Sequence, residues 1–242
     1  MKGPTIDQGE VAYYSQLADQ WWDKDGKFWP LHLLNQLRTT FLRKAICRHF
    51  GRPYEVTRPL RGLNVLDIGC GGGILAESMA HLGANVHGID VVERNIGIAR
   101  QHALQSKLSI EYEYLDVEEA VRRAQRYDVL LNMEVVEHVA DLPLFMSLCN
   151  QLVADGGVMY IATINRNLLS WLFAIVGAEY VLRWLPKGTH SWFKFVKPRE
   201  LEALLARDDM TINATTGVRV NPFTRQFSLT PRLSVNYMLS AS

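Results

Sequence analysis

Three side chains that can bind a cation or move a proton stand together in the segment MEVVEH, residues 133–138. Glu134, Glu137 and His138 directly follow an apolar run that predicts a buried strand. If a helix begins there, spacings of three and four residues place all three side chains on one face. They would then hold Mg²⁺ against two neighbouring ligand oxygens, or His138 would act as a general base oriented by Glu137. A third interpretation makes the motif structural or part of a ligand-binding wall.

A glycine cluster forms the second group of candidate residues. In the sequence LDIGCGGGILAE, Asp67 is followed by Gly69, Gly71 and Gly73, and an apolar helical pattern starts at Ile74. A dinucleotide fingerprint requires glycine or alanine where Ile74 stands, and a P-loop requires a lysine that this segment lacks. The carboxylate of Asp67 disfavours a diphosphate at the turn. The pattern therefore predicts a phosphate-free ligand that carries a positive charge.

Two further aspartates follow the next two predicted strands. Asp90 stands about 20 residues after the glycine cluster, a position from which a carboxylate can bind both hydroxyls of a ribose. Asp116 can accept a hydrogen bond from the amino group of an adenine, or it only caps the helix that follows it. A glycine turn, a ribose-binding carboxylate and a positively charged ligand together predict S-adenosylmethionine as the cofactor.

Apolar runs that alternate with helical patterns position these groups. Five runs rich in Val, Ile, Leu and Tyr predict strands at 64–68, 85–89, 109–114, 128–133 and 158–163. Such alternation is typical of a parallel sheet with helices on both faces, whereas the C-terminal segment 217–241 predicts antiparallel strands joined by turns. The sequence thus predicts an α/β, Rossmann-like fold with a mainly parallel, seven-stranded sheet and an antiparallel C-terminal edge.

Domain organisation, net charge and cysteine content limit the classes of protein to which this chain can belong. Residues 1–60 predict an N-terminal helical cover, and a connector with two prolines and two glycines separates it from a cofactor-binding domain over 61–242. A net charge of +1 gives no general reason to expect nucleic-acid binding. Three widely spaced cysteines, Cys47, Cys70 and Cys149, and an N-terminus without an apolar leader predict a cytoplasmic protein.

The most apolar segment, 168–186, lies in an insertion predicted over 165–197. Glu179 and Arg183 interrupt it, so its apolar part is shorter than the about 18 to 20 residues that span a bilayer. Five cations lie along it: Arg166, Arg183, Lys187, Lys194 and Lys197. An apolar helix with a basic rim can bind the surface of an anionic membrane, and a lid that packs on the sheet is the alternative.

Over residues 13–239 the sequence resembles the ubiquinone biosynthesis O-methyltransferase family, a branch of the class I methyltransferases. The segments that carry the resemblance are QWWDKDGKFWPLHLLNQLR, LDIGCGGGILAESMA, NMEVVEHVAD, ATINRNLLSWLFAIVGAEYVLRWLPKGTH and VNYML. Gln36 stands where the family usually has proline, and Ser191 stands where aspartate commonly follows GTH. The resemblance implies methylation of phenol and catechol hydroxyls of polyprenylated ubiquinone precursors, at both O-methylation steps of ubiquinone biosynthesis.

The resemblance also implies roles for individual residues. Gly69 and Asp90 would bind the cofactor, Arg38 would contact its carboxylate end, and Met133 would flank its adenosyl group. Eukaryotic relatives are metal-dependent, which permits Mg²⁺ at the residues of the MEVVEH segment. His190, in the KGTH segment, is a further candidate for contact with the substrate.

A polyprenylated substrate also bears on location and partners. Its tail stays in the bilayer, so we expect the protein at the inner face of the membrane, docked on anionic lipid through 168–187. A methyltransferase of soluble small phenols would use that segment only as a lid. A non-catalytic, membrane-associated subunit of a ubiquinone-biosynthesis complex is the third alternative, and the intact glycines, Asp90 and EVVEH disfavour it.

Overall fold

The computed structural model describes residues 3–172 and 192–242. In these ranges the strands are β1 (Asn64–Ile68), β2 (Asn85–Asp90), β3 (Glu111–Tyr114), β4 (Tyr127–Met133), β5 (Val153–Ile164), β6 (Ile212–Val220), β7 (Phe227–Thr230) and β8 (Asn236–Ala241). The helices are α1 (Gln8–Leu17), α2 (Trp29–His49), α3 (Ile74–His81), α4 (Glu93–Gln105), α5 (Val117–Arg122), α6 (Leu142–Leu152), α7 (Leu168–Ser170) and α8 (Pro198–Ala206).

The strands form one mixed sheet with the order β3-β2-β1-β4-β5-β8-β6-β7. β1 to β5 pair in parallel. β8 is antiparallel to both β5 and β6, and β6 is antiparallel to β7. The direction of the chain order reverses between β1 and β4, so the carboxyl ends of these strands flank the crevice in which open α/β sheets bind ligands.

Local sequence explains where several helices begin and end. Asp7, Asp116 and Asp141 accept hydrogen bonds from backbone N–H groups in the first turns of α1, α5 and α6. α3 begins directly after Gly73, and the chain leaves it at Gly83, whose φ of 96° is left-handed. The cap formed by Asp116 matches one of the two interpretations that its sequence position allowed.

The predicted fold class is confirmed, with differences in detail. Among the described residues the sheet has eight strands instead of seven, because the C-terminal segment forms three strands, β6 to β8. The sequence patterns did not single out α4 or α8, in which buried residues recur within otherwise polar sequence. β3 starts two residues later than predicted, and β5 starts five residues earlier, at Val153.

Apolar side chains fill both faces of the sheet. One buried cluster joins α2, α3 and α4 to the sheet, and a second joins α5, α6 and α8 to its other face. A third, small cluster of Leu17, Ala18, Trp21 and Phe28 connects α1 to the start of α2. The helical segment at the N-terminus is therefore packed against α3 and α4 through its own apolar residues.

Backbone hydrogen bonds fasten the N-terminal segment to the loop after β4. Ile6 and Val139 form an antiparallel bridge, and the N–H of Ala140 donates to the carbonyl of Thr5 at 2.9 Å. Thr5 also donates through its N–H and its hydroxyl to Glu118. These bonds bring α1 against residues 133–138. The proposed division of the chain at residue 60 stays a prediction.

The insertion predicted over 165–197 is described only at its two ends. Glu179, Arg183, Lys187 and His190 lie outside the described residues, and the predictions made for them stay predictions. Within 3–172 and 192–242, no helix combines the length and the apolar character needed to cross a membrane.

Two of the cations assigned to the rim of this insertion have partners inside the protein. Arg166 forms an ion pair with Glu200. Lys194 donates to Asp7 at 2.8 Å and to Glu10 at 2.9 Å. These charges are already balanced by carboxylates of the same chain, so they add less to a basic rim than the sequence predicted.

Candidate active site

A cavity of about 760 Å³ opens at the carboxyl ends of β1, β2 and β4. Most of its walls are apolar side chains, and ionisable groups face it from several elements: Glu10, Arg38, Asp67, Asp90, Glu134, Glu137 and His138. Ligand pockets in proteins commonly measure about 300 to 1,000 Å³, so the cavity is large enough for a cofactor and an aromatic head together.

The glycine cluster borders this cavity with a backbone that favours glycine. Gly69, Gly71 and Gly73 have φ angles of 64°, 55° and 88°, all in the left-handed region. A Cβ atom at Gly71 would lie 2.5 Å from the indole ring of Trp21. Both the conformation and the close approach therefore exclude side chains, as the sequence pattern predicted.

Trp21 is both a wall of the cavity and a packing anchor. Its ring stacks on Phe28 with centroids 4.1 Å apart, and its Nε1 donates to Asn95 at 2.9 Å. Trp22 donates from Nε1 to the carbonyl of Gly72 at 2.8 Å. The Trp-Trp pair thus fixes the N-terminal cover directly onto the glycine loop.

Two buried carboxylates face the cavity at the ends of β1 and β2. Asp90 accepts hydrogen bonds from the backbone N–H groups of Gly71 at 2.8 Å and Val92 at 2.7 Å, and burial raises its pKa to about 6. The Oδ2 atom of Asp67 is buried and has no hydrogen-bond partner among the described residues. Burial and the charge of Asp90 raise the pKa of Asp67 to about 7, against the opposing effect of Arg38. A positively charged ligand would stabilise the ionised form of both groups.

The segment after β4 is a turn, so the condition under which Glu134, Glu137 and His138 would share one helical face is not met. Glu134 has a left-handed φ of 60°, and the N–H of His138 donates to the carbonyl of Val135 at 2.8 Å. This sharp change of direction gives the three predicted side chains three different sets of partners.

Glu134 forms an ion pair with Arg38, a buried residue of α2. The Nε atom of Arg38 is buried, and no group in the described part of the chain accepts its hydrogen bond. The guanidinium therefore keeps a donor available inside the cavity, as a contact with a carboxylate of the cofactor requires. Glu134 serves here as the counter-charge of Arg38, and it is not combined with the other two residues of the motif.

Glu137 is buried and does not orient His138 as predicted. Its carboxylate accepts a hydrogen bond from the hydroxyl of Thr163 at 2.8 Å. Burial, and then the charge of Glu134, raise the pKa of Glu137 to about 7. Burial therefore favours the protonated form of Glu137 more than in an exposed glutamate.

His138 is oriented by a residue of the N-terminal cover. Its Nδ1 lies 3.0 Å from Oε2 of Glu10, and its Nε2 lies 3.2 Å from the hydroxyl of Tyr14. Burial alone would lower the pKa of His138, but the hydrogen bond to Glu10 and the charges of Glu137 and Glu10 outweigh it and raise the pKa above its usual value. An imidazole with this environment can accept a proton near neutral pH.

The three residues proposed as metal ligands do not form a compact donor set. Among the described residues, the one group of three whose donor atoms all lie within 4.8 Å of one another is His87, Glu111 and Glu113, on β2 and β3. Binding of Mg²⁺ by Glu134, Glu137 and His138 would require all three side chains to leave their present partners, and it stays a prediction.

Of two other residues predicted to bind the cofactor, Met133 lines the cavity and Asp116 does not. Met133, the last residue of β4, lines the cavity. Asp116 caps α5 by accepting from the N–H of Glu119 at 2.8 Å, and its neighbours Leu115 and Val117 line the cavity in its place. Capping, the alternative interpretation of Asp116, is confirmed, and its contact with an adenine stays a prediction.

The sequence patterns missed the residues that complete the surroundings of His138. Glu10 and Tyr14 lie one helical turn apart on α1, and Thr163 lies near the end of β5. Asp7 as a helix cap, followed three residues later by Glu10, is a signal that predicts the helix but not its partner. Lys194 drew attention only as a flanking cation of the apolar insertion.

Comparison with known proteins relates this cavity to an enzyme family. A family model described as a methyltransferase domain matches residues 38–213, which include the glycine loop and the MEVVEH segment. A ubiquinone biosynthesis O-methyltransferase of Sinorhizobium fredii is 48% identical over 237 residues, 98% of this chain and 96% of the relative. The chain belongs to the ubiquinone biosynthesis O-methyltransferase family. A relative of the same name in Brucella ovis is also 48% identical over 237 residues.

Solved structures with lower sequence identity share the fold of this O-methyltransferase family member. The magnesium protoporphyrin IX methyltransferase of Synechocystis PCC 6803, crystallised with bound SAH, has a TM-score of 0.69 and 19% identity. That match covers 97% of this chain and 99% of the solved chain. The resemblance of the sequence to the family, and the fold expected from it, are thereby confirmed.

Proposed function

We propose that this chain transfers a methyl group from S-adenosylmethionine to a phenolic hydroxyl of polyprenylated ubiquinone precursors, with His138 as the general base. One observation carries the assignment of His138. Its Nε2 already holds a phenol, the side chain of Tyr14, at 3.2 Å inside the cavity that the glycine loop borders. A substrate hydroxyl would take the place of the Tyr14 hydroxyl as the donor to this nitrogen.

The residues of the cofactor-binding wall suit a positively charged nucleoside. Asp90, at the end of β2, would bind the ribose hydroxyls, and the Nε–H of Arg38, unpaired within the described ranges, would bind the carboxylate of the methionine part. Asp67, whose buried Oδ2 has no described partner, contributes negative charge to the same wall. This charge favours a sulfonium, which carries no phosphate, over a dinucleotide.

The chemistry requires removal of a proton from a weak acid. A phenol with a pKa of about 10 is almost entirely protonated at neutral pH. As the phenolic O–H bond breaks, an N–H bond forms on Nε2 of His138, and the oxygen becomes a stronger nucleophile. When bound, S-adenosylmethionine supplies a methyl group that accepts the oxygen's electron pair while the electrons of its C–S bond stay on sulfur. The apolar walls would restrict the orientation of the phenol ring, and the proton on His138 would afterwards be released to water.

The reaction is tested by transfer of a labelled methyl group to a short-tailed catechol analogue of the quinone head. We expect one product, methylated on a single hydroxyl, because the cavity orients the ring. Transfer to soluble phenols in preference to this analogue would contradict the substrate class. Absence of transfer while the cofactor binds normally would contradict the reaction.

We also propose that the apolar insertion docks on anionic lipid at the inner face of the cytoplasmic membrane. Apolar side chains stand exposed at both described ends of the insertion: Leu168, Leu169, Trp171 and Leu172 before it and Phe193 after it. Leu168 is 77% exposed and Phe193 79% exposed, which is costly in water and favourable at a membrane interface. This placement would let a polyprenyl tail remain in the bilayer while its head enters the cavity.

Flotation with vesicles tests the docking proposal. Replacing both Leu168 and Trp171 by serine should weaken binding to phosphatidylglycerol vesicles. The matched control is Phe223→Ser, since Phe223 is 95% exposed in the turn between β6 and β7 and is not part of the insertion sequence. Equal loss in both proteins, or no binding by the unaltered protein, would contradict the proposal. Association with other enzymes of the pathway stays a prediction from family resemblance.

A further inference from the structure

The N-terminal helix contributes a carboxylate that contacts the proposed base. Oε2 of Glu10 lies 3.0 Å from Nδ1 of His138, and both side chains are largely buried. An ionised carboxylate can only accept hydrogen bonds, so Nδ1 must carry the proton of the neutral ring. Nε2 then presents its lone pair, and the hydroxyl of Tyr14 donates to it. The contact with Glu10 therefore selects the tautomer that a base requires.

Glu10 is itself held in place from its other side. Lys194 donates to Oε1 of Glu10 at 2.9 Å and to Asp7 at 2.8 Å. Burial would raise the pKa of Glu10, but its hydrogen bonds to His138 and Lys194 outweigh this effect and lower it. Glu10 consequently stays ionised at neutral pH, with each of its oxygens engaged by a different partner.

The other charged groups around His138 leave this role to Glu10. Glu137 bonds to Thr163, and Glu134 pairs with Arg38, so neither contacts the imidazole in a hydrogen bond that the structure records. Tyr14 faces Nε2 and is the remaining titratable neighbour in contact with the ring. Within the described residues, Glu10 is thus the carboxylate that directly orients His138.

We propose that Glu10 is a positioning residue for the methyl-transfer reaction, an inference that rests on the function proposed for His138. It fixes the tautomer and orientation of the imidazole, and it balances the positive charge that the ring acquires with the phenolic proton. A carboxylate behind a catalytic histidine acts in this way wherever a base must be aimed and its cation stabilised. Lys194 keeps the carboxylate aligned and ties it to the end of the apolar insertion.

Steady-state kinetics of Glu10→Gln on the short-tailed catechol test this role. We expect kcat to fall by about tenfold to a thousandfold, a part of the 10²–10⁴ that general-base catalysis contributes. The KM for the catechol and the affinity for S-adenosylmethionine should stay close to those of the unaltered protein, because Glu10 aids proton removal more than binding. Glu10→Asp, which keeps the charge, should recover part of kcat.

Asp7→Asn is the matched control, since Asp7 also binds Lys194 but does not contact His138. Asparagine remains a good N-cap, so α1 should keep its start. We expect kcat of this variant to stay near that of the unaltered protein. A fall equal to that of Glu10→Gln would assign the effect to the Lys194 tether and overturn the proposal.

A more acidic substrate distinguishes a role of Glu10 in proton removal from a purely structural role. On a nitrocatechol whose hydroxyl is already ionised at the assay pH, Glu10→Gln and the unaltered protein should have nearly equal kcat, because no proton has to be removed. An equal defect on both catechols would mean that Glu10 only supports the structure, and it would overturn the proposal. An undiminished kcat on the ordinary catechol would do the same.

The tautomer can be measured without turnover, by ¹⁵N NMR of labelled imidazole in the cofactor-free protein. The neutral ring of His138 should be protonated on Nδ1 in the unaltered protein, and this preference should weaken in Glu10→Gln. Protonation on Nε2 would overturn the role of Glu10. Methyl transfer to neither catechol by the unaltered protein, with the expected tautomer present, would instead refute the proposed function while leaving the contact itself intact.

Discussion

The two sides of the cavity are built from different parts of the chain. On the cofactor side, Asp67, the glycines and Asp90 come from consecutive strand ends within one βαβ unit. On the proton side, His138 meets Glu10, a residue 128 positions earlier. Glu10 in turn meets Lys194, 184 positions later. The first side follows from local backbone geometry, whereas the second forms only when the N-terminal cover has packed on the sheet.

This difference predicts separable defects. Changes on the cofactor side should weaken binding of S-adenosylmethionine and leave the reactivity of bound substrate largely intact. Changes on the proton side should lower the reactivity of bound substrate and leave the affinity for S-adenosylmethionine largely intact. A change on one side that altered the property assigned to the other side would contradict this separation.

The largest effect is expected from Gly71→Val. The residue has a left-handed φ of 55°, and a Cβ would lie 2.5 Å from Trp21. Calorimetry should therefore detect no binding of S-adenosylmethionine. Gly62→Val is the matched control, because Gly62 has a φ of 82° but no described atom lies within 4 Å of the position that a Cβ would take. If the control lost binding equally, backbone strain alone and not the crowded loop would explain the result.

Asp90→Asn should weaken the affinity for S-adenosylmethionine by about tenfold to a hundredfold, since hydrogen bonds to charged groups are worth about 1.5–3 kcal/mol. Asparagine keeps one acceptor for the N–H groups of Gly71 and Val92, so the loop should keep its shape. At saturating cofactor, kcat should change little. A large fall in kcat with unchanged affinity would mean that Asp90 takes part in the reaction step and does not bind the cofactor.

Thr163→Val should lower the free energy of unfolding by about 1–3 kcal/mol, because it leaves a buried acceptor of Glu137 without its donor. Urea denaturation measures the change. Thr40→Val serves as the control, since the exposed hydroxyl of Thr40 only bonds to the backbone of its own helix. We expect the control to stay within about 0.5 kcal/mol of the unaltered protein.

The smallest expected effect is the change with pH of the protein's stability and of its affinity for the cofactor. In the cofactor-free protein, Asp67 and Asp90 have pKa values of about 7 and about 6, above the unfolded value of about 3.9. The folded state therefore holds more protons, and these two groups contribute stability that is lost as pH rises from about 4 to about 7. A positively charged cofactor favours their ionised forms, so its affinity should rise severalfold between pH 5.5 and 7.5 with release of protons. Affinity that falls over this range would contradict the assigned charge of the site.

The sequence predicted the glycine turn after β1 and the carboxylate at the end of β2. Gly69, Gly71 and Gly73 require a particular backbone, and Asp90 requires only the end of the next strand, so short motifs specify both. The strand positions also followed from apolar runs. The helices α4 and α8 were not predicted, because only a narrow face of each is buried and the rest of their sequence is polar. These features depend on contacts close along the chain.

The proton side could not be predicted, for a physical reason. Glu134, Glu137 and His138 share a helical spacing, but the left-handed residue Glu134 turns the chain and gives them different partners. No periodicity indicates that Glu10 will reach His138, because this contact depends on the packing of α1 against a distant loop. Sequence reasoning named His138 as a candidate base, but it paired this residue with Glu137, whereas the carboxylate in contact with the ring is Glu10.

Single-turnover methyl transfer by His138→Gln tests the central claim most directly. The protein is loaded with labelled S-adenosylmethionine, its affinity is measured in the same sample, and the short-tailed catechol is then added. We predict unchanged affinity and a rate lower by about 10²–10⁴, the usual contribution of a general base. A rate equal to that of the unaltered protein, with the cofactor bound, would show that His138 does not remove the phenolic proton.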